Sequence, residues 1–347
     1  MSEASISFPI LGDITFDFSS SFTIFGWSFH WYGIIIAVGF LLAVLYVMKR
    51  SKHFGLTEDN IIDLLLYTVP LAFVGLRLYY VAFSDWDFSG NLWQNFLRII
   101  KVWEGGLAIY GGIIGGLIGA FIFSKRKKIK LGPVADVGAL GLMIGQAVGR
   151  WGNFVNREAF GIKTDVPWKM GLTNAYGTFY YHPTFLYESL WNILGFILLH
   201  AYTKKRKFDG EIFILYLGWY GLGRLYIEGL RTDSLMIGTL RVSQLVALVC
   251  LFASIGIIFY NRLSKHHEPE ELWLNRDKAV DLENQSESTL NLVEEESEDS
   301  MLIDALEALK NSNLHIDGDT EEDSEDTPVV EPTIVVFHDE EIGTDSQ

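Results

Sequence analysis

Cysteine is almost absent from this chain. The single Cys250 lies inside an apolar run. One thiol excludes an intramolecular disulfide framework and a cysteine-based zinc site, and its plain role is that of a small buried apolar residue. Lys and Arg are missing from the first twenty residues, which do contain Glu3, Asp13 and Asp17. Without a basic n-region the first apolar run is expected to be retained in the membrane rather than cleaved as a signal peptide. Three motifs are also lacking: a Gly-Lys-Ser/Thr phosphate loop, a His-Glu-x-x-His metal pair and a Gly-x-Ser-x-Gly nucleophile elbow. Their absence argues against ATP-driven and metalloprotease chemistry, and no metal or cofactor is implied.

Apolar residues are abundant instead. Of 347 residues 49% are hydrophobic, and mean hydropathy is +0.22, too apolar for an average soluble protein. The formal charge of −16 is unevenly distributed. Residues 266–347 carry 26 acids against 3 bases (−23), so residues 1–265 carry 17 acids against 24 bases (+7). This division predicts a membrane domain over 1–265 and an acidic, mostly disordered tail over 266–347. Within the tail, Ser300–Asn311 has helical apolar spacing and Pro328–Val336 is a short apolar segment.

Crossing a hydrocarbon core of about 30 Å takes about 20 apolar helical residues. Seven stretches qualify, near 28–48, 60–83, 106–124, 133–150, 183–203, 211–229 and 241–261. Basic residues cluster after the first, third, fifth and seventh: Lys49, Arg50 and Lys52; Lys125–Lys128 and Lys130; Lys204–Lys207; Arg262 and Lys265. The positive-inside rule places those ends in the cytoplasm. The expected fold is therefore an all-α polytopic membrane protein of about seven helices, N-terminus outside and C-terminus inside. Phe22–Trp31 reads as aromatic anchoring at the outer surface, with Tyr32 just inside it, and Ser84–Asn95 as either a short amphipathic arm or an ordinary loop.

Charges inside spans are costly, so each is a candidate for function. Gly149–Gly161 (GRWGNFVNREAFG) ends the fourth span and packs Arg150, Asn153, Asn156, Arg157 and Glu158 among three glycines. Arg and Asn suit a phosphate or ester carbonyl, with glycines letting backbone approach a ligand. The plainer alternative is a helix end followed by a polar turn, with Arg150 paired to Glu158. Arg77 lies near the outer end of the second span, where it either snorkels outward or serves a site. Arg224 and Glu228 stand four apart on one face of the sixth span, which fits an intrahelical ion pair as well as a site. Glu188 adds a carboxylate to the fifth span, near His182 and Tyr187. Tyr110 precedes Gly111–Gly112 in a glycine-rich third span, whose small residues suit close helix packing. Clustered near one leaflet, these groups fit a lipid head group, with phosphate-centred leaving-group chemistry left open.

Five motifs together carry a resemblance: FHWYG (29–33), WEGGLAIYGG (103–112), GRWGNFVNREAFG (149–161), HPTFLYE (182–188) and GLGRLYIEGLRTD (221–233). Over roughly residues 20–262 the chain resembles the prolipoprotein diacylglyceryl transferase family, with that family's seven spans and external N-terminus. The resemblance implies an enzyme of the bacterial cell membrane. It would pass the diacylglyceryl group of phosphatidylglycerol to the lipobox cysteine thiol of a prolipoprotein, making a thioether and releasing glycerol phosphate. It further implies catalytic parts for Arg150, Arg224, Glu228 and Tyr110, with the site toward the external face. Phosphatidylglycerol contacts would come from Arg150, Asn153, Glu158, Gly161, Tyr32 and Arg77. Arg150 and Arg224 would meet the developing phosphate charge, Asn153 would align the head group, and Glu158 and Glu228 would hold the arginines. The partners are thus the lipid, the precursor's signal peptide and the bilayer, with no nucleic acid. Many members have histidine where this chain has Tyr110. A phenol of ordinary pKa near 10 is a poor base at neutral pH, so Tyr110 is expected to position substrate while electrostatics activate the thiol.

Two rivals follow from the residues. An anion transporter or channel would line its path with these arginines, but would need polar groups at every depth, and the inner half shows little beyond Asp63. A scaffold would work through the acidic tail. Deleting the tail after about Lys265 is expected to leave transfer intact.

Overall fold

The computed structural model describes residues 5–12, 14–84, 91–102, 105–232, 236–237, 240–265, 267–276, 301 and 303–308. Residues 85–90 of the Ser84–Asn95 arm, Trp103–Glu104, Asp233 and the Pro328–Val336 segment lie outside them. The chain divides into two units, residues 1–282 and 283–347. In the second, the described residues 303–308 are helical, as the apolar spacing there predicts.

Among the described residues of the first unit are seven long helices and one short one. They are α1 (Trp31–Arg50), α2 (Glu58–Phe83), α3 (Leu92–Ile100), α4 (Ile109–Lys127), α5 (Leu131–Asn156), α6 (Thr184–Tyr202), α7 (Glu211–Leu230) and α8 (Val242–Ser264). The long ones coincide with the seven expected stretches. Four of them (α1, α2, α5 and α8) are long and apolar enough to cross a membrane by length and composition. The short α3 opens on a capping box of Asn91 and Gln94 and exposes Leu92, Trp93 and Phe96.

Helix α5 is the central post. Its Val134, Val137, Leu140 and Met143 are buried with Phe54, Phe123, Leu199, Ile212 and Tyr216, and it packs on α1, α6 and α7. Small residues set the other seams. Gly111 and Gly115 of α4 lie against backbone carbonyls of Gly75 and Leu71 in α2, and a Cβ on Gly119 would stand 2.7 Å from Tyr67 O. Between α6 and α7, the Trp191 and Trp219 rings stack at 4.2 Å, each indole N–H donating to the other's carbonyl at 3.0 Å. Asp136, fully buried in α5, accepts from the backbone N–H of Gly210 and Phe213, both at 2.9 Å, and so caps α7.

Two features depart from the sequence expectation. The first is strand: β1 (Ser5–Phe8), β2 (Ile14–Phe16), β5 (Met170–Asn174) and β6 (Gly177–Tyr181) form an antiparallel sheet of order β2-β1-β5-β6. Two hairpins are separate from it, β3 (Ser21–Ile24) with β4 (Trp27–His30) and β7 (Met236–Ile237) with β8 (Leu240–Arg241). The all-α expectation therefore holds for the long helices but not for the segments between them. The second is the segment 267–276, assigned by composition to a disordered tail. It lies within the first unit and is pinned to three loops. Trp273 N donates to Asp209 (2.9 Å), Arg276 to Gly55 O (3.0 Å), and Lys130 to Glu271 O (3.1 Å).

Candidate active site

The signature stretch begins as helix. Gly149–Asn156 forms the last two turns of α5, which stops where Arg157 takes a left-handed conformation (φ 55°). The polar turn expected from residue 149 onward starts only at 157. Its glycines also serve another purpose than ligand approach. A Cβ on Gly152 would lie 2.7 Å from the Tyr32 ring, and one on Gly149 would lie 3.2 Å from Ile36, so both admit α1. Gly161 sits where three backbones converge: a Cβ there would stand 2.7 Å from His182 Cβ and 3.0 Å from Leu230 O.

One carboxylate organises the charges. Glu188 of α6 receives Arg150 from α5 at 2.5 Å, Arg224 from α7 at 3.3 Å and Arg231 beyond α7 at 3.4 Å. Arg224 also reaches Glu228, one turn on, at 2.6 Å. Only 7% of the Glu188 side chain and 3% of Glu228 are exposed. Three guanidiniums thus share two carboxylates, Glu188 and Glu228. Buried charges persist only when paired and hydrogen-bonded. Guanidiniums held in fixed positions suit an anionic oxygen.

Beside this cluster lies a cavity of about 20 Å³, room for one water molecule. Gln146, Arg150, Glu188, Tyr220 and Arg224 line its polar side, Trp191 and Ile227 its apolar side. Gln146 donates to Tyr216 Oη at 2.8 Å, while its Oε1 is buried without a protein partner. Arg241 donates to Glu228 O, which ties the start of α8 to the cluster.

The expected site residues separate into groups. Arg150, Arg224 and Glu228 come together through Glu188. Asn153 is next to them, accepting from Arg150 at 3.3 Å and donating to Glu158 at 2.9 Å. Glu158 also takes Asn156 at 3.4 Å. This corrects the expectation that Glu158 holds an arginine: its carboxylate holds two amides, and Glu188 holds Arg150. Tyr32 lies against Gly152. Tyr110 is half-exposed on α4, its ring 6.1 Å from Tyr79, and does not line the cavity. Arg77 is buried and donates to the carbonyls of Ile99 (2.8 Å), Lys101 (3.2 Å), Gly105 (2.6 Å) and Gly106 (2.9 Å), so it braces the α3–α4 connection instead of snorkelling outward. Just before α6, His182 accepts or donates at 3.1 Å with Tyr187 Oη, and burial lowers its pKa below the usual imidazole value.

Sequence reading noted Glu188 without giving it a part, and passed over Gln146 and Tyr220. Nothing in local spacing links Glu188 to arginines 38 positions before and 36 after. A lone acid inside an apolar span with no partner on its own helix is itself the signal that could have found it.

Long apolar helices that hold buried arginines and carboxylates between them define a membrane protein with a buried ion-pair cluster. Residues 19–260 match the family described as prolipoprotein diacylglyceryl transferase. The chain belongs to that family. It is 46% identical over 244 residues to a protein of Listeria welshimeri named phosphatidylglycerol–prolipoprotein diacylglyceryl transferase, covering 68% of this chain and 87% of the relative. Proteins of the same name in Streptococcus sanguinis (46% over 251 residues, 69% and 93% covered) and Clostridioides difficile (40% over 248 residues, 72% and 96% covered) are similar to it as well.

Proposed function

We propose that this chain transfers the diacylglyceryl group of phosphatidylglycerol to a cysteine thiol of a prolipoprotein, acting as a multi-pass enzyme of the bacterial cell membrane. The carrying observation is the Glu188 hub, which gathers Arg150, Arg224 and Arg231 beside a cavity among α5, α6 and α7. Phosphatidylglycerol brings one phosphodiester charge. The bond broken is the one between the glyceryl C3 carbon and its phosphate oxygen, and the bond formed is C–S. The electron pair of the breaking bond leaves on glycerol phosphate, and the thiol proton is lost before or during attack.

As the phosphate oxygen departs, its charge grows, and preorganised cations stabilise that growth more than the ground state. Arg150 and Arg224 supply them. Glu188 and Glu228 fix both guanidiniums in the absence of lipid, so little reorganisation is needed when the phosphate arrives. Asn153, held by Glu158, aligns the head group, and Tyr32 borders it across Gly152. Gly161 acts through the backbone it lets converge. Arg77 serves by holding the α3–α4 connection, which leads into Tyr110. Tyr110 lies outside the cavity lining, which favours a positioning part over that of the base. The same positive field lowers the pKa of an incoming thiol, so that attack by thiolate needs no strong base.

For topology the proposal takes all seven long helices as spans, with the N-terminus and site external and the acidic tail cytoplasmic. The bases gathered after α1, α4, α6 and α8 support that orientation. The family match gives the transporter alternative no support.

Purified protein incubated with phosphatidylglycerol and a lipobox peptide should add one diacylglyceryl mass to the peptide. Arg150→Ala and Arg224→Ala should each abolish the gain. An unchanged peptide, beside a competent relative run in parallel, would refute the assignment.

A further inference from the structure

The β3–β4 hairpin is built against the usual rules for a water-exposed turn. Its two-residue tip, Phe25–Gly26, has φ of 51° and 80°, the left-handed pair of a type I′ turn. Asn, Asp or Gly ordinarily fill the first of these positions, because a bulky side chain is strained there. This chain places Phe, 99% exposed, with Trp27 beside it 75% exposed and Ile24 and Phe29 nearly half exposed. From Phe18 to Trp31 there is no Asp, Glu, Lys or Arg. Water would charge heavily for such a tip, whereas a membrane interface favours it: aromatic rings concentrate at that depth.

Geometry fixes where the tip can go. Ser20 O accepts from Trp31 N at 3.0 Å, so the hairpin base is pinned to the first residue of α1. Phe22 stacks on Phe29 at 5.8 Å and contacts Trp31 at 4.8 Å, which stiffens the junction. Helix α1 is itself long and apolar enough to span. Four-residue strands reach about 13 Å. The tip therefore stays within the interfacial layer that begins where α1 leaves the hydrocarbon. The other end of the same loop is tied to the site: Arg157 donates to Phe18 O, and its guanidinium lies 5.1 Å over the Phe18 ring.

We propose that the β3–β4 hairpin is a wedge inserted into the interface of the leaflet nearest the start of α1, its occupant being the glycerol and upper acyl region of glycerophospholipids. Its task is to fix the depth of α1 and of the Tyr32–Gly152 contact relative to the head-group plane. The leaflet is named outer only through the orientation proposed above; insertion itself is independent of that reading and of the transfer activity.

The β5–β6 hairpin supplies an internal control, since its tip residue Tyr176 is 90% exposed within the polar turn Asn174–Gly177. In the full chain with Cys250→Ala, single spin labels are placed at Phe25→Cys or Tyr176→Cys and the protein is reconstituted in phosphatidylglycerol–phosphatidylethanolamine vesicles. The label at 25 should collide with oxygen more often than with a water-soluble nickel chelate, and the label at 176 should show the reverse. Should the tip label disturb folding, brominated lipids offer a second measurement: they should quench the wild-type emission more than that of Trp27→Leu. Nickel accessibility at 25 equal to that at 176, or quenching unaffected by Trp27→Leu, overturns the proposal, whether or not the protein transfers diacylglyceryl groups.

Discussion

A single carboxylate decides how three arginines share the site. Replacing Glu188 by Gln keeps its size and removes its charge, taking from Arg150, Arg224 and Arg231 the carboxylate that they share. Breaking a buried pair in this way costs about 3–5 kcal/mol. Glu188→Gln should therefore lower the thermal midpoint markedly and reduce transfer by more than tenfold, as read by peptide mass gain on protein that still reaches the membrane. Tyr110→Phe should retain near-full transfer, since the ring stays in place and the hydroxyl is not charged with moving a proton. A loss of two or more orders of magnitude in Tyr110→Phe would return it to proton transfer. Both tests sit at the limit of what the sequence discloses. Arg150, Arg224 and Glu228 are legible because charge within apolar runs is conspicuous. The link to Glu188 joins three helices, and residue order carries no trace of it.

Helices set where such residues can meet, and their seams rest on glycine. Gly115 of α4 lies against the Leu71 carbonyl of α2, and Gly119 leaves no room beside Tyr67 and Thr68. Gly115→Leu should push α4 off α2, displace Tyr110 from Tyr79, and reduce the amount of folded protein recovered. By contrast, Gly116→Leu should be tolerated, since a side chain there meets nothing within 4 Å. Folded yield of the two variants, compared by size exclusion in detergent, checks the pair. Long helices are legible at this scale because 20-residue apolar runs are unambiguous. Helix α5 extends six residues past its expected end because Arg150, Asn153 and Asn156 find partners in Glu188 and Glu158: a hydropathy cut-off sees their polarity and not their pairing. The strands are hidden for a related reason. Segments of three to five residues, such as β1 and β5, carry too few alternations to register, and these two pair with each other across more than 150 positions.

For the molecule as a whole, the acidic tail conceals a structural seam. Averaged over residues 266–347, composition indicates disorder, yet residues 267–276 contain Leu272, Trp273 and Leu274 and dock on the loops between α1 and α2, α4 and α5, and α6 and α7. His267 stacks on Phe208 at 5.1 Å and Arg276 lies 4.4 Å over the Trp273 ring. Gly55, left-handed at φ 71°, admits this segment so closely that a Cβ would stand 2.8 Å from Leu274 Cα. The segment lies beyond the family match, which ends at residue 260. Each of the docking hydrogen bonds contributes about 0.5–1.5 kcal/mol, and their joint loss, offset by regained chain entropy, amounts to about 2–3 kcal/mol. Truncation after Lys265 should consequently lower the thermal midpoint by roughly 5–10 °C while leaving the Glu188 cluster and transfer in place at low temperature. Truncation after Leu282 removes most of the acidic charge but none of the docked residues, and should match the full chain in both midpoint and transfer. Equal midpoints for the two truncations would show that the docked segment holds nothing together. A loss of transfer after Leu282 would instead give the acidic tail a part in the reaction.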